Sequence, residues 1–403
     1  MFKKRTRLYT HFELKNLYHV FKSLIFKKKN FSDILKRYLK VKNIHLTSQG
    51  RVSLYDIIKI IIKKNKKKIF FISPFTIPEV IYAIKYAGGD VKYIDINLET
   101  GLIDETILEK EINNESAGII ITHLYSNSEN IKKFISKFEG KIPIIEDAAI
   151  NFGASVENKF LGTLTDYGFY SFNLVKNLNT LNGGAIYIKN DDEFMLYNSS
   201  LKKKKFPFKD TINLLITVFI IKIFFNNFSY QIFHYFLKYV YKFKFRYILK
   251  KIYPILYHEK KIEIPKNYFY DFNWIMNDSA NLSLQKINDD YLLRLSKAKL
   301  YEKYLDTNKI KKFKYYQNEN TFLEYPIILK KNNNMLMHKI LFNKGYDVRH
   351  TWYINNAKEL SDYKSENFKN TETLEEKILC LPLHKNISHN DIANISNILN
   401  LYE

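Results

Sequence analysis

The sequence predicts an α/β protein with three parts. A large portion is built on a mostly parallel sheet flanked by helices. A smaller α/β portion lies at the C-terminus, and a basic, apolar helical insert separates the two. Three observations predict this. Short β-branched runs alternate with helical patterns from about residue 50 to 190. A second, shorter strand–helix alternation follows residue 305. Between them, composition changes abruptly: residues 201–258 carry twelve Lys or Arg against one acid, Asp210, a net +11.

The strand candidates of the first part are Ile69–Ser73, Val91–Ile96, Gly118–Thr122 and Ile142–Glu146. Each is short and apolar without alternation, as strands covered on both faces are. Glu79–Tyr86, Asp104–Ile112 and Glu129–Phe138 have helical spacing and charged outer faces. Strand–helix alternation at this pitch gives a mostly parallel sheet with helices on both sides. FYSF (169–172) and GAIYI (184–188) read as a further strand pair. Beyond 268 a long helical pattern runs to about Tyr304. Strands are then expected at 321–329 and 346–350, with a helix over Met335–Asn343 between them. Asp391–Tyr402 closes the chain as a helix, with Ser388 as its N-cap. The expected division is an N-terminal arm (1–45), a large domain (46–200 and 259–305), the insert (201–258) and a small domain (306–403).

Length and composition bound the function. The chain has 403 residues, 46% of them hydrophobic, which suffices for two or three cores. One cysteine, Cys380, excludes an internal disulfide framework and any multi-cysteine zinc site, and it fits a reducing compartment. The basic N-terminus has no unbroken apolar run, so no secretory signal is expected. The net charge of +23 points either to an anionic partner or to lysines decorating solvated faces in a Lys-, Ile- and Asn-rich composition. Almost half of it lies in the insert.

Ligands of parallel sheets gather at the carboxyl ends of the strands. Asp147 directly follows IPIIE and Lys176 follows FYSF, so opposite charges are expected at one rim. A lone lysine there can simply snorkel to solvent. Its neighbours favour chemistry instead. Ser171 can offer a hydroxyl to a phosphate. Gly183 and Gly184 permit close backbone approach. A lysine that condenses with an aldehyde, a carboxylate for a protonated ring nitrogen and donors for a phosphate are what pyridoxal phosphate requires.

Residues 144–194, IIEDAAINFGASVENKFLGTLTDYGFYSFNLVKNLNTLNGGAIYIKNDDEF, resemble the cofactor segment of the DegT/DnrJ-type sugar aminotransferases. TSQGRVSLYDII (47–58) is similar to that family's phosphate turn. SPFTIPEVIYAIKYAGGDVKYIDINLETGLID (73–104), THLYSNSENI (122–131), FNWIMNDSANLSLQKI (272–287), DVRHTWY (347–353) and LPLHKNIS (381–388) match it collinearly. The resemblance implies the fold type I architecture and pyridoxal 5'-phosphate as cofactor. It implies an aminotransferase that moves an amino group, taken from L-glutamate by family habit, to a keto group of a nucleotide-linked sugar for surface glycan synthesis. It further implies that Lys176 holds the cofactor and shuttles a proton, that Asp147 pairs with the ring nitrogen, and that Ser171 and the backbone at Gly50, Arg51 and Val52 bind the phosphate. Asn273 would reach the phosphate of a neighbouring subunit, so a homodimer with shared sites is expected. No metal is implied. Some family members carry histidine in place of the lysine and act as dehydratases; Lys176 argues against that branch.

Three departures stand out. Ile150 occupies a position where the family has a hydrogen-bonding Gln or His, with Asn151 beside it. Ile77 replaces an aromatic that stacks on the ring. Ser126 replaces the glycine of the HLYG segment. They support an alternative: a catalytically weakened member acting as a membrane-associated binding or scaffold protein. His123, Tyr125, His350 and His384 lie in family motifs and either face substrate or fill structural roles.

In the insert, TINLLITVFIIKIFF (211–225) is too short to span a bilayer and is broken by Lys222. Bases and aromatics interleave over 231–257. Two readings compete: a helical hairpin packed on the dimer, or peripheral membrane contact through 202–257. Single-stranded nucleic acid is discounted. The expected location is the cytoplasm, with the inner membrane face as the alternative site of residence.

Overall fold

In a computed structural model the protein is described over residues 3–26, 30–124, 128–243, 245, 263–313, 320–350, 353–360 and 368–403. Helices α1 (Leu14–Ile25) and α2 (Phe31–Leu39) precede the first strand. Asn30 starts α2 by accepting the Ser32 N–H (3.1 Å).

Seven strands form the main sheet: β1 (Ile44–Thr47), β2 (Ile69–Ile72), β3 (Asp90–Tyr93), β4 (Ser116–Thr122), β5 (Ile144–Asp147), β6 (Tyr167–Ser171) and β7 (Gly184–Ile188). Their order is β1-β7-β6-β5-β4-β2-β3. The five strands from β6 to β3 are mutually parallel, whereas β7 runs antiparallel to β6 and β1 antiparallel to β7. The expected helices intervene as α4 (Pro78–Tyr86), α5 (Glu105–Glu111) and α6 (Ser128–Phe138), and a further helix, α3 (Gly50–Asn65), lies between β1 and β2. Asp104 caps α5, accepting the Thr106 and Ile107 N–H groups.

The unbroken apolar runs have a simple cause. Successive strand residues point to opposite faces, and both faces are covered. Phe71, Ile119, Ile121 and Ile144 enter one core with Ile131 and Phe134 of α6. Phe70, Ile72, Ile120 and Ile145 enter a second core with Ile57 and Ile61 of α3 and Ile81 and Ile84 of α4.

Past α7 (Asp191–Ser200) come α8 (Phe208–Phe224) and α9 (Ser229–Lys242), bent 96° from one another. Among the described residues no single helix is long and apolar enough to cross a membrane. The remainder of the expected contact segment, 246–257, lies outside the described residues. Helices α10 (Asn277–Gln285) and α11 (Ile287–Tyr304) follow.

The C-terminal part is an antiparallel sheet of β8 (Ile310–Lys312), β9 (Tyr325–Leu329) and β10 (Ile378–Leu381), with α12 (Asn334–Asn343) and α13 (His389–Tyr402). Tyr301, Ile327, Leu341, Leu379 and Ile395 share its core. Ser388 caps α13 as expected, in a reciprocal capping box with Asp391. Two expectations need correction. The strand at 321–329 begins only at Tyr325. Residues 346–350 form no continuous strand. Tyr346 bridges Arg5 of the N-terminal segment, while Arg349 bridges Cys380 of β10. Contact divided between two partners leaves no ladder to extend.

Candidate active site

Register brings the expected rim together. Thr47 pairs with Gly184, Gly184 with Ser171, Phe169 with Asp147, and Asp147 with Thr122. The carboxyl ends of β4, β5 and β6 therefore lie along one edge with the start of β7 and the end of β1. Helix α3 begins three residues after β1, so its N-terminus opens at the same edge.

Lys176 sits in the loop between β6 and β7. Backbone bonds from Phe172 N to Gly183 O (2.8 Å) and from Thr180 N to Phe172 O (2.9 Å) close the loop at its base. Buried Asn177 anchors its tip to Thr321 Oγ1 (2.8 Å), and buried Asn179 donates to Thr10 Oγ1 (3.0 Å) and to Leu174 O. The strand pair is thus interrupted by a pinned loop that presents one amine. Burial lowers the Lys176 pKa to about 8; Asp147 and Glu324 oppose that shift and Arg349 adds to it.

Asp147 is buried, and burial raises its pKa against the pull of the Ala149 N–H, Lys176 and His123. Its Oδ1 accepts that N–H at 3.0 Å. His123, one of the residues expected to face substrate, is instead buried behind Asp147. Its Nε2 lies 2.7 Å from Glu146 Oε2, and its backbone N–H donates to Asp147 O (3.1 Å). Its Nδ1 is buried with no hydrogen-bond partner among the described residues.

A backbone cradle faces this pair. A Cβ on Gly50 would meet the Ser171 Cβ at 2.8 Å, and one on Gly184 would meet Gly50 N at 2.6 Å. Only glycine allows strand ends and helix start to approach so closely. Gln49, the N-cap of α3, makes no side-chain capping bond, so the helix start keeps donors for an anion. Val52 contributes least: its side chain lies in the core and its N–H already donates to Gln49 O (3.0 Å). Arg51 lies 3.9 Å from Glu79.

Ile77 and Ile150 flank one apolar cluster, which includes Phe75, Leu124, Tyr353 and Cys380. Asn151 is buried and engaged within its own chain, donating to His123 O and accepting from Thr321 N, the residue that also anchors Asn177. Asn273 is buried within its own chain. It donates to Thr211 Oγ1 (2.8 Å) and accepts the Ile275 N–H (3.3 Å). His350 packs on His338 of α12 with ring centres 4.3 Å apart, in the C-terminal part. His384 is held by Thr6 O (2.9 Å) and stacks on Tyr9. Tyr125 lies outside the described residues.

Sequence reasoning missed Arg349, Glu324 and Tyr353. Arg349 Nε lies 2.8 Å from both Glu324 oxygens, and the charges of both residues act on Lys176. Tyr353 is buried close enough for the Asp147 charge to raise its pKa further. Period-two alternation over YDVRH was the available signal, because it turns Arg349 and His350 in opposite directions.

The depressed Lys176 pKa has a direct consequence. In cofactor-free protein, half of its amines are neutral near pH 8, where an ordinary lysine is neutral in less than about one molecule in a hundred. Reductive alkylation followed by peptide mapping should show Lys176 reacting with a midpoint near pH 8, and exposed lysines only about two units higher. A midpoint above pH 10 would contradict the burial argument. Between about pH 8 and the ordinary lysine value the unfolded chain binds more protons here than the native one. This group's contribution to stability therefore rises with pH across that window.

Residues 22–206 match the model of the DegT/DnrJ/EryC1/StrS aminotransferase family. The chain is 29% identical over 197 residues to a UDP-4-amino-4,6-dideoxy-N-acetyl-beta-L-altrosamine transaminase of Campylobacter jejuni, covering 46% of this chain and 50% of that one. It is 30% identical over 112 residues to GDP-perosamine synthase of Escherichia coli O157:H7, covering 28% and 30%. The matches thus span half or less of these relatives' lengths. In fold the likeness extends over the whole chain. Escherichia coli GDP-4-keto-6-deoxy-D-mannose-3-dehydratase with bound hydrated PLP superposes with a TM-score of 0.72 at 15% identity, covering 99% of this chain and 100% of that one. Helicobacter pylori PseC, an aminotransferase of pseudaminic acid biosynthesis, gives 0.69 at 16% identity, covering 99% and 97%. The fold is therefore the one these solved structures share, and residues 22–206 are similar to the DegT/DnrJ/EryC1/StrS aminotransferase family.

Proposed function

We propose that this chain is a cytoplasmic, pyridoxal phosphate-dependent aminotransferase. It takes an amino group from an amino acid, L-glutamate in this reading, and delivers it to a keto group of a nucleotide-linked sugar used in surface polysaccharide synthesis. The observation that carries the proposal is a half-buried lysine with a pKa lowered to about 8, Lys176, set on the same rim as buried Asp147 and the glycine-lined start of α3. Relatives named as a transaminase of an amino sugar and as a perosamine synthase support the substrate class.

The donor set fits the cofactor. The unpartnered His123 Nδ1, the raised Asp147 pKa and the Gly50–Ser171–Gly184 cradle are features that a cationic ring and a phosphate would satisfy. Asp147 would hold the proton of the ring nitrogen. Ser171 and the Gly50 and Arg51 N–H groups would take the phosphate, and Ile77 and Ile150 would exclude water on the apolar side. Pyridoxal phosphate bound there supplies an aldehyde that condenses with amines and a ring that stabilises negative charge at the donor's α-carbon. Lys176 Nζ, whose neutral form burial favours, would take up the donor's α-proton and pass it to the carbon that held the aldehyde. Glu146 and His123 keep Asp147 in place from behind. A second copy completing the site through Asn273 is part of this reading. It requires the Asn273–Thr211 bond to open or be shared.

The test is a half-reaction. Protein loaded with pyridoxal phosphate and mixed with L-glutamate should release one equivalent of 2-oxoglutarate per site. Adding a 4-keto-6-deoxy nucleotide sugar should then give continuous turnover and an amino sugar detectable by mass spectrometry. The departures at Ile77 and Ile150 favour a second reading, a weakened member serving as a binding protein. Tight cofactor retention without any 2-oxoglutarate, across several amino donors, would put that reading first.

A further inference from the structure

The insert is apolar on its outward as well as its inward face. In α8 the inward stripe is Thr211, Val218 and partly buried Leu214 and Leu215. The outward stripe, spaced three or four residues apart, is Phe208, Ile212, Ile216, Phe219 and Ile223. In α9 the inward stripe is Tyr230, His234, Leu237 and Val240, with both ring nitrogens of His234 buried and lacking hydrogen bonds among the described residues. Outward lie Phe228, Ile232, Phe236, Tyr239 and Phe243. A surface helix normally turns a polar face outward. A histidine inside while Phe228 and Ile232 stand 83% and 72% exposed marks a face built for something other than water. Of 29 large apolar side chains exposed among the described residues, 14 fall within 208–245, so the patch is concentrated, not scattered.

Charge says what covers it. Lys202, Lys204, Lys205, Lys209 and Lys242 are exposed beside or within these helices. Lys203 alone of the KKKK run turns inward, to Asp56 (3.1 Å). Asp210 is the sole acid in the segment. A second copy docked on the same face would set lysines against lysines. An anionic bilayer takes both features at once: apolar side chains enter the acyl boundary and lysines meet headgroup phosphates. Among the described residues neither helix alone is long and apolar enough to cross a bilayer, and the chain turns 96° between α8 and α9, a shape suited to lying along the surface.

We propose that the outward face of α8 and α9 docks the protein peripherally on an anionic lipid bilayer. Each helix is braced on a different part of the molecule. Thr211 of α8 bonds Asn273, and α9 packs on Phe342 of α12 with Lys238 donating to Asn343 O (3.0 Å). The face is therefore a rigid elbow of the body and not a loose tether.

Co-sedimentation of the full chain with phosphatidylcholine vesicles, and with vesicles of equal phosphatidylcholine and phosphatidylglycerol, tests this. Binding is expected to the mixed vesicles only, and high salt should weaken it. Phe219→Glu/Phe228→Glu should lower the bound fraction about tenfold or more, and Lys204→Glu/Lys205→Glu should weaken binding while leaving the apolar face intact. All four side chains are exposed, so the variants should fold, as matching urea midpoints would confirm. Sizing of the same samples distinguishes the rival occupant. If the phenylalanine variant reduces oligomeric size and vesicle binding is absent or unchanged, a second copy covers the face and the proposal is wrong. Wild-type indifference to phosphatidylglycerol overturns it as well. Release of 2-oxoglutarate by the unbound protein is independent of either outcome, so failure here leaves the aminotransferase reading standing.

Discussion

Lys176→Ala should reduce amine transfer by at least about 10⁴-fold, the upper range for removing a positioned proton carrier. The variant should fold normally. Lys176 sits in a loop closed by Phe172, Thr180 and Gly183 backbone bonds and pinned by Asn177 and Asn179. None of these uses its side chain. Removing a half-buried amine whose charged form is disfavoured costs the fold little. Two further readouts separate a catalytic amine from a structural one. Reduction with borohydride should tie pyridoxal phosphate covalently to the wild type and not to the variant. A small primary amine in solution should restore part of the lost rate, because the vacated space lies beside Asp147. Turnover within about tenfold of wild type would mean that Lys176 is not the proton carrier.

The rim of this site was legible in the sequence because its determinants are local. Asp147 and Lys176 each follow a short apolar strand, and a parallel sheet places such residues at one edge without further information. The alternation of strands and helices is likewise encoded residue by residue. Asp104, Asn30 and Ser388 mark helix starts through their own side chains. What was not legible depends on partners far away in the chain. Tyr346 and Arg349 sit in a stretch with strand propensity, yet each bridges a different segment. Sequence spacing does not report such divided contacts. Arg349 was overlooked for the histidine beside it, although alternation alone separates their directions. Glu324 joined the site as the partner of that arginine, across 25 residues. In the insert the helical period was readable, but which stripe faced inward was not. The usual rule that the apolar stripe is buried fails at Ile232, Phe228 and His234. That failure is itself informative, since local rules tend to break where a surface has a partner.

Glu146→Ala should cost about 3–5 kcal/mol of stability, the range for stripping one partner from a buried charged network. Glu146 is fully buried. Its two oxygens accept the N–H groups of Gly162 (2.9 Å), Leu164 (2.6 Å) and Thr165 (2.9 Å), and Oε2 meets His123 Nε2 at 2.7 Å. Alanine would leave these donors buried and unsatisfied, each at a cost of about 1–3 kcal/mol before relaxation. Glu146→Gln keeps one acceptor oxygen but turns an amide N–H₂ toward existing donors, so a smaller loss of about 2 kcal/mol is expected. Urea unfolding of the three proteins should rank them in that order. The damage should also reach the site, because Glu146 orients His123, and His123 N–H supports the backbone of Asp147 (3.1 Å). Pyridoxal phosphate should therefore bind more weakly to Glu146→Gln even at temperatures where that variant is fully folded. Equal stability of all three proteins would mean that water replaces the carboxylate at no cost. Weakened stability with unchanged cofactor affinity would show that Glu146 holds the 162–165 turn alone, and that Asp147 is positioned by the sheet without help from the histidine behind it.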